Sequence, residues 1–170
     1  MKRPETDEYA SSYAGYVDLV PESDVIAVLR DQIGELSALK EEVGEAKAGY
    51  SYAEGKWTIK QLIGHLADCE RIFAYRGLRI VRRDETPLPG FEQDDYIAAS
   101  RADERPIEGL LNEIILLRQA NMFLFEDLNE EDWAAAGTAS DNHITVRAIA
   151  FIMAGHVRHH LNILRERYLS

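Results

Sequence analysis

His156 and His160 stand four residues apart in AGHVRHHLNIL, and a third histidine, His65, lies in LIGHLADCERIF. Steps of three and four along the last segment run Val146, Ile149, Met153, His156, His160 and then Ile163 or Leu164. Both histidines therefore occupy positions where leucine is expected on an inward helical face. The same steps in the earlier segment give Leu62, His65, Cys69, Ile72 and Arg76. A buried imidazole without a partner leaves polar nitrogens unsatisfied, and three together multiply that cost. A shared divalent cation satisfies one nitrogen on each ring, and neutral imidazole is a common ligand for such ions.

Spacing excludes the other metal architectures. No histidine has a glutamate three residues before it, so the paired Glu-x-x-His motifs of di-iron bundles are absent. Val157 follows His156, which removes the His-Glu-x-x-His protease pattern. Gly-x-Gly and Walker-type phosphate loops are also missing. What remains is a mononuclear centre of His65, His156 and His160 with one or two open positions, the arrangement of a catalytic rather than a structural metal. Ligation needs neutral rings, so metal affinity is expected to fall below roughly pH 6.5.

The neighbours of these histidines divide by the face they occupy. His159, beside Arg158, and His143, ahead of a helix cap, read as solvated and stay outside the ligand set. Cys69, one turn beyond His65, reads as core filler, with a metal-facing thiol as the alternative. Asp68 and Glu70 could orient an imidazole through its second N–H, although acidic residues on a helix ordinarily face water. Arg76 lies on the His65 seam and needs an anionic partner from the protein or from substrate, whereas Arg79, Arg82 and Arg83 read as surface. No catalytic base is assigned.

Composition bounds the class. The 170 residues fit one domain able to bury a core without staples, so a metal would be functional. The formal charge of −11 disfavours nucleic acid and anionic membrane as partners. The first 15 residues lack the apolar core of a signal peptide, and no segment approaches the roughly 18 apolar residues of a membrane span, so the expected location is cytoplasmic. A single cysteine forbids an internal disulfide and every multi-cysteine zinc module.

Four amphipathic patterns must position the histidines. The first runs from about Glu22 to Lys47. The second begins after Trp57, where Thr58 and Gln61 form a capping box and Trp57 and Leu62 a hydrophobic staple, and ends near Arg82. The third starts near Pro106 and carries Ile107, Leu110, Leu111, Ile114, Leu117, Asn121, Leu124 and Leu128 on one face. The fourth starts at Thr145 as N-cap and runs nearly to the last residue. Nothing reads as a sheet. Residues 1–20 form an N-terminal arm and residues 21–170 a single domain; the prolines of Asp84 to Tyr96 make that segment a crossover edging the histidine pocket.

The segments GKWTIKQLIGHLADCERIFAYRGLRI, PLPGFEQDDYI and AIAFIMAGHVRHHLNIL together resemble the DinB-like superfamily, also called the YfiT-like metalloenzymes, over about Leu29 to Leu164. The resemblance implies an all-α, up-down-down-up four-helix bundle, a divalent metal such as nickel or zinc on His65, His156 and His160, and a homodimer. Some members are transferases or isomerases using low-molecular-weight thiols such as bacillithiol or mycothiol. The expected function is therefore a metal-dependent enzyme acting on a small molecule, a thiol S-transferase or a hydrolase. The alternative is a noncatalytic dimeric protein that binds a metal or small ligand.

Overall fold

Thr58 sets the start of the helix that carries His65. Its hydroxyl accepts the Gln61 amide at 3.1 Å, and Gln61 Oε1 accepts the Thr58 amide at 3.0 Å, closing the capping box. Numbered in chain order, this computed structural model, which describes residues 2–170, has four long helices: α2 (Val25–Ala48), α3 (Ile59–Val81), α5 (Ile107–Phe125) and α7 (Val146–Ile163). A π-helical turn, Leu164–Tyr168, prolongs α7. Of three short helices, α1 (Ala14–Asp18) lies in the N-terminal arm, and α4 (Gln93–Ala99) and α6 (Glu130–Ala134) sit in the connections. Each predicted long helix is present within a few residues of its expected ends, and Thr145 caps α7 by accepting the Ala148 amide at 3.1 Å.

Cross-helix pairs give the topology. Gln32 donates to Ala154 O and Glu35 pairs with Arg165, so α2 and the α7 rod run parallel. Arg71 meets Glu113 and Gly77 abuts Phe125, so α3 and α5 also run parallel. Lys40 meets Asn112 and Arg30 meets Glu126, which makes α2 and α5 antiparallel. His65 faces His160 while Gly77 faces Ile149, which makes α3 and α7 antiparallel. The result is an up-down-down-up four-helix bundle. Its parallel α3–α5 step requires the long crossover between them.

Three expectations need correction. Residues Ala136–Ala139 (β1) and Asn142–Thr145 (β2) form an antiparallel hairpin, with Ala136 opposite Thr145 and Ala139 opposite Asn142. Its turn puts Ser140 and Asp141 in the left-handed region, at φ 50° and 62°, the geometry that matches strand twist. The hairpin lies over the end of α3 because Gly137 has no side chain; a Cβ there would meet Ile80 Cγ1 at 2.8 Å. The crossover is not wholly irregular either, since α4 begins within it at Gln93. On α5 the fully buried seam continues through Arg118, Met122 and Phe125, with Leu117, Leu124 and Leu128 half-buried against the core beside it.

Arg118 explains the last difference. It is fully buried and donates from Nε and Nη2 to the two Glu70 oxygens at 2.7 and 2.8 Å. Gln32 Oε1 accepts from its Nη1 at 2.8 Å, and Asn121 Nδ2 donates to Glu70 at 3.0 Å. Glu70 is thus no solvated carboxylate but one half of a bidentate ion pair joining α3 to α5, with α2 supplying Gln32. The N-terminal arm is anchored in a similar way. Glu8 accepts from Thr145 Oγ1 at 2.7 Å and from Arg147 Nε at 3.0 Å. Burial works against the Glu8 carboxylate, but hydrogen bonds from the Glu5 backbone, Thr145 and Arg147 outweigh it and hold its pKa below the ordinary value.

Candidate metal centre

The antiparallel α3–α7 packing brings the three histidines together. His65 Nε2 lies 3.0 Å from His156 Nε2, and His160 Nε2 lies 3.1 Å from the same atom. His156 and His160 share one face of α7 at i, i+4, and His65 approaches from the second turn of α3. All three are buried, at 2%, 5% and 8% exposure for His65, His156 and His160.

Their protonation follows from burial. Desolvation pushes His65 down to about 4, with Asp94 pulling weakly the other way. It pushes His160 down to about 3, aided by the other imidazoles, and His156 well below its ordinary value. The onset of proton competition for these rings therefore moves from near pH 6.5 to nearer pH 4. In a cluster of neutral rings the central His156 Nε2 either donates one hydrogen or accepts one. It faces two nitrogens at hydrogen-bond distance, so it satisfies only one of them. A cation accepts a lone pair from all three, so the donor set fits a divalent metal.

Cys69 stands beside this group. Its sulfur is 3.6 Å from His65 Nε2 and 3.7 Å from Nδ1, and burial pushes the thiol up to about 12. Ligand atoms of His65, Cys69 and His156 all lie within 4.8 Å of one another, a triad that differs from the histidine set by exchanging His160 for Cys69. His160 adds a third imidazole, its Nε2 3.1 Å from that of His156, and a protonated thiol of raised pKa is a poorer donor than a neutral imidazole.

Several residues not singled out in the sequence enclose the centre. Tyr16 of α1 packs edge-on against His156, its ring centroid 5.3 Å away, and also against the half-buried His159. Trp57 packs against the other two rings, 4.8 Å from the His65 ring and stacked 6.4 Å from His160. Tyr16 belongs to the arm, outside the four long amphipathic patterns, and only the structure reveals that it reaches His156. Trp57 was visible only as half of a staple. His143 is exposed on β2, away from the core. Two cavities reach the histidines. One of about 250 Å³ joins His65, Cys69 and His156 to Tyr16 and Phe91; the other, of about 320 Å³, joins His160 to Trp57, Asp94 and Tyr168. Gln93 lines both. The Asp84 to Tyr96 crossover thus edges the centre as its position predicted.

The sequence model of the DinB superfamily matches residues 29–164. A protein of Oceanobacillus iheyensis named "putative metal-dependent hydrolase" is 26% identical over 151 residues, covering 84% of this chain and 86% of its own. A protein of Bacillus pumilus with the same description is 26% identical over 143 residues, covering 80% and 81%. Among solved structures, YfiT from Bacillus subtilis, described as "a probable metal-dependent hydrolase with an unusual four-helix bundle topology", superposes with a TM-score of 0.72 at 16% identity. That alignment covers 99% of this chain and 95% of YfiT.

Proposed function

Because the chain belongs to the DinB superfamily, we propose that it is a metal-dependent hydrolase of a small molecule, with His65, His156 and His160 holding one divalent ion. The observation that carries this reading is the convergence of three buried Nε2 atoms, 3.0 and 3.1 Å apart through His156. Zinc and nickel both suit an imidazole set. Such an ion supplies Lewis acidity to hydrolysis. The protein's own groups then have separable tasks. Burial keeps the three imidazoles neutral and ready to donate electron pairs. Tyr16 packs against His156, Trp57 packs against His65 and His160, and both restrict water, while the two cavities admit a small molecule. Hydrolysis is preferred to thiol transfer because the sequence relatives and the structural neighbour carry the hydrolase description. Pairing of two copies, which the family resemblance implies, would use apolar residues left on the outer face of α5, Leu116 and Phe123.

The test is metal analysis of protein purified without an affinity tag, followed by assays of the loaded protein on small esters and amides. One equivalent of divalent metal and turnover that a chelator removes are expected. Stoichiometric metal with no turnover on any substrate would instead favour a noncatalytic binding protein.

A further inference from the structure

Arg76 is a buried cation without a counter-charge. The residue is only 2% exposed, yet among the described residues no carboxylate pairs with its guanidinium. The other deeply buried arginines are neutralised, Arg118 by Glu70 and Arg147 by Glu8. Arg76 instead donates from Nη2 to Pro89 O at 2.8 Å and to Ser140 Oγ at 2.9 Å, with its Cζ 6.0 Å from the Phe73 ring centre. Those bonds tie the crossover and the hairpin turn to α3, but neutral acceptors do not offset a full charge. Its Nε and Nη1 groups have no protein acceptor and, unlike Arg3 Nη1, are not sealed from solvent.

Arg76 borders a cavity of about 280 Å³ whose walls include Ile72, Tyr75, Leu88, Phe91 and Tyr96, with no acidic residue. The second arginine at its edge, Arg71, is engaged by Glu113 at 2.6 Å. In a chain of net charge −11 this recess is apolar, aromatic and locally positive. We propose that it binds a small monocarboxylate with an aromatic body, the carboxylate on Arg76 and the ring among Tyr75, Phe91 and Tyr96. One free guanidinium matches one negative charge better than a phosphate dianion. The recess adjoins the imidazole centre. Phe91 borders both cavities, and the Phe73 ring lies between Arg76 and His156, 5.9 Å from the latter. Taken with the hydrolase reading, on which this clause alone rests, the carboxylate is the end by which substrate is recognised.

The experiment is a titration of metal-free, ¹⁵N-labelled protein with phenylacetate, phenylacetamide and phenyl phosphate, followed by NMR. Phenylacetate is expected to shift the amides of Gly90 and Phe91 and the Nε–H of Arg76 saturably. Phenylacetamide should bind at least about tenfold more weakly, since it lacks the charge. Arg76→Gln should lose the response to phenylacetate while keeping its far-ultraviolet circular dichroism. If that variant unfolds, the wild-type comparison of acid with amide still decides. Equal binding of the amide, tighter binding of phenyl phosphate, or no shift at these groups would overturn the proposal and leave Arg76 a clamp on the loops. Because the protein is metal-free, failure of the metal centre leaves this result unchanged, and failure here leaves metal binding unchanged.

Discussion

Replacing His160 by Ala removes one of three converging Nε2 atoms and nothing that holds a helix in place. The expected outcome is loss of stoichiometric metal with helical content retained, read by elemental analysis and circular dichroism; a full equivalent of metal on the triple His→Ala variant would refute the ligand assignment. The same rings predict a pH effect on the metal-free protein. In the unfolded chain a histidine binds a proton below about 6.5, but in the fold His65 does so only near 4 and His160 near 3. Between these values the unfolded state holds more protons, so stability declines as pH falls from 6.5 toward 4, by roughly 1.4 kcal/mol per pH unit for each histidine. Denaturant midpoints at pH 7 and pH 5 should separate, and the separation should shrink in His65→Ala. The histidines were legible because a polar ring on an apolar stripe contradicts its setting. Glu70 was not, since its partner Arg118 lies 48 positions away and a carboxylate on a helix reads as solvated by default.

Gly155 on α7 shows how tightly the arm is laid against the bundle. A Cβ there would fall 1.9 Å from the Tyr16 carbonyl oxygen, a backbone atom that cannot swing aside. Gly155→Ala is therefore expected to displace α1, expose the His156 side of the centre and cost about 1–3 kcal/mol, measurable by urea unfolding and by faster proteolysis of the arm. At the other helix, Thr58→Ala removes the hydroxyl that caps α3 and also bonds Asp103 at 2.6 Å. It should cost about 1 kcal/mol with no change in metal stoichiometry. The four long helices were legible from caps and apolar stripes, but the hairpin was not. Its strands AGTA and NHIT are four residues long and contain little that favours extended backbone, and they form where Gly137 lets them rest on Ile80. On α5 the stripe omitted Arg118, which occupies an inward position that a hydrophobic count passes over.

Across the molecule the Glu70–Arg118 pair, with Gln32 and Asn121, joins α2, α3 and α5, and Gln32 extends the network to α7 by donating to Ala154 O. Glu70→Leu alone strands a buried guanidinium and should destabilise by about 3–5 kcal/mol, while Glu70→Leu with Arg118→Met should recover much of that loss in thermal melts. Little change in either variant would show the network to be dispensable. Metal should add to stability in the native protein: at a free concentration one hundred times the dissociation constant it contributes about 2.7 kcal/mol, visible as a melting temperature that rises with added ion and falls with a chelator. The two helices that meet at the metal centre supply His65 and His156 from positions 91 apart. During synthesis, His65 leaves the ribosome long before its partners exist, and a nascent α3 can offer an ion only one of the three imidazoles. Closing so long a loop is an entropic cost borne by the whole fold. On the proposed ligand set, ion uptake would await the docking of α7, and occupancy would then report a completed chain and fold.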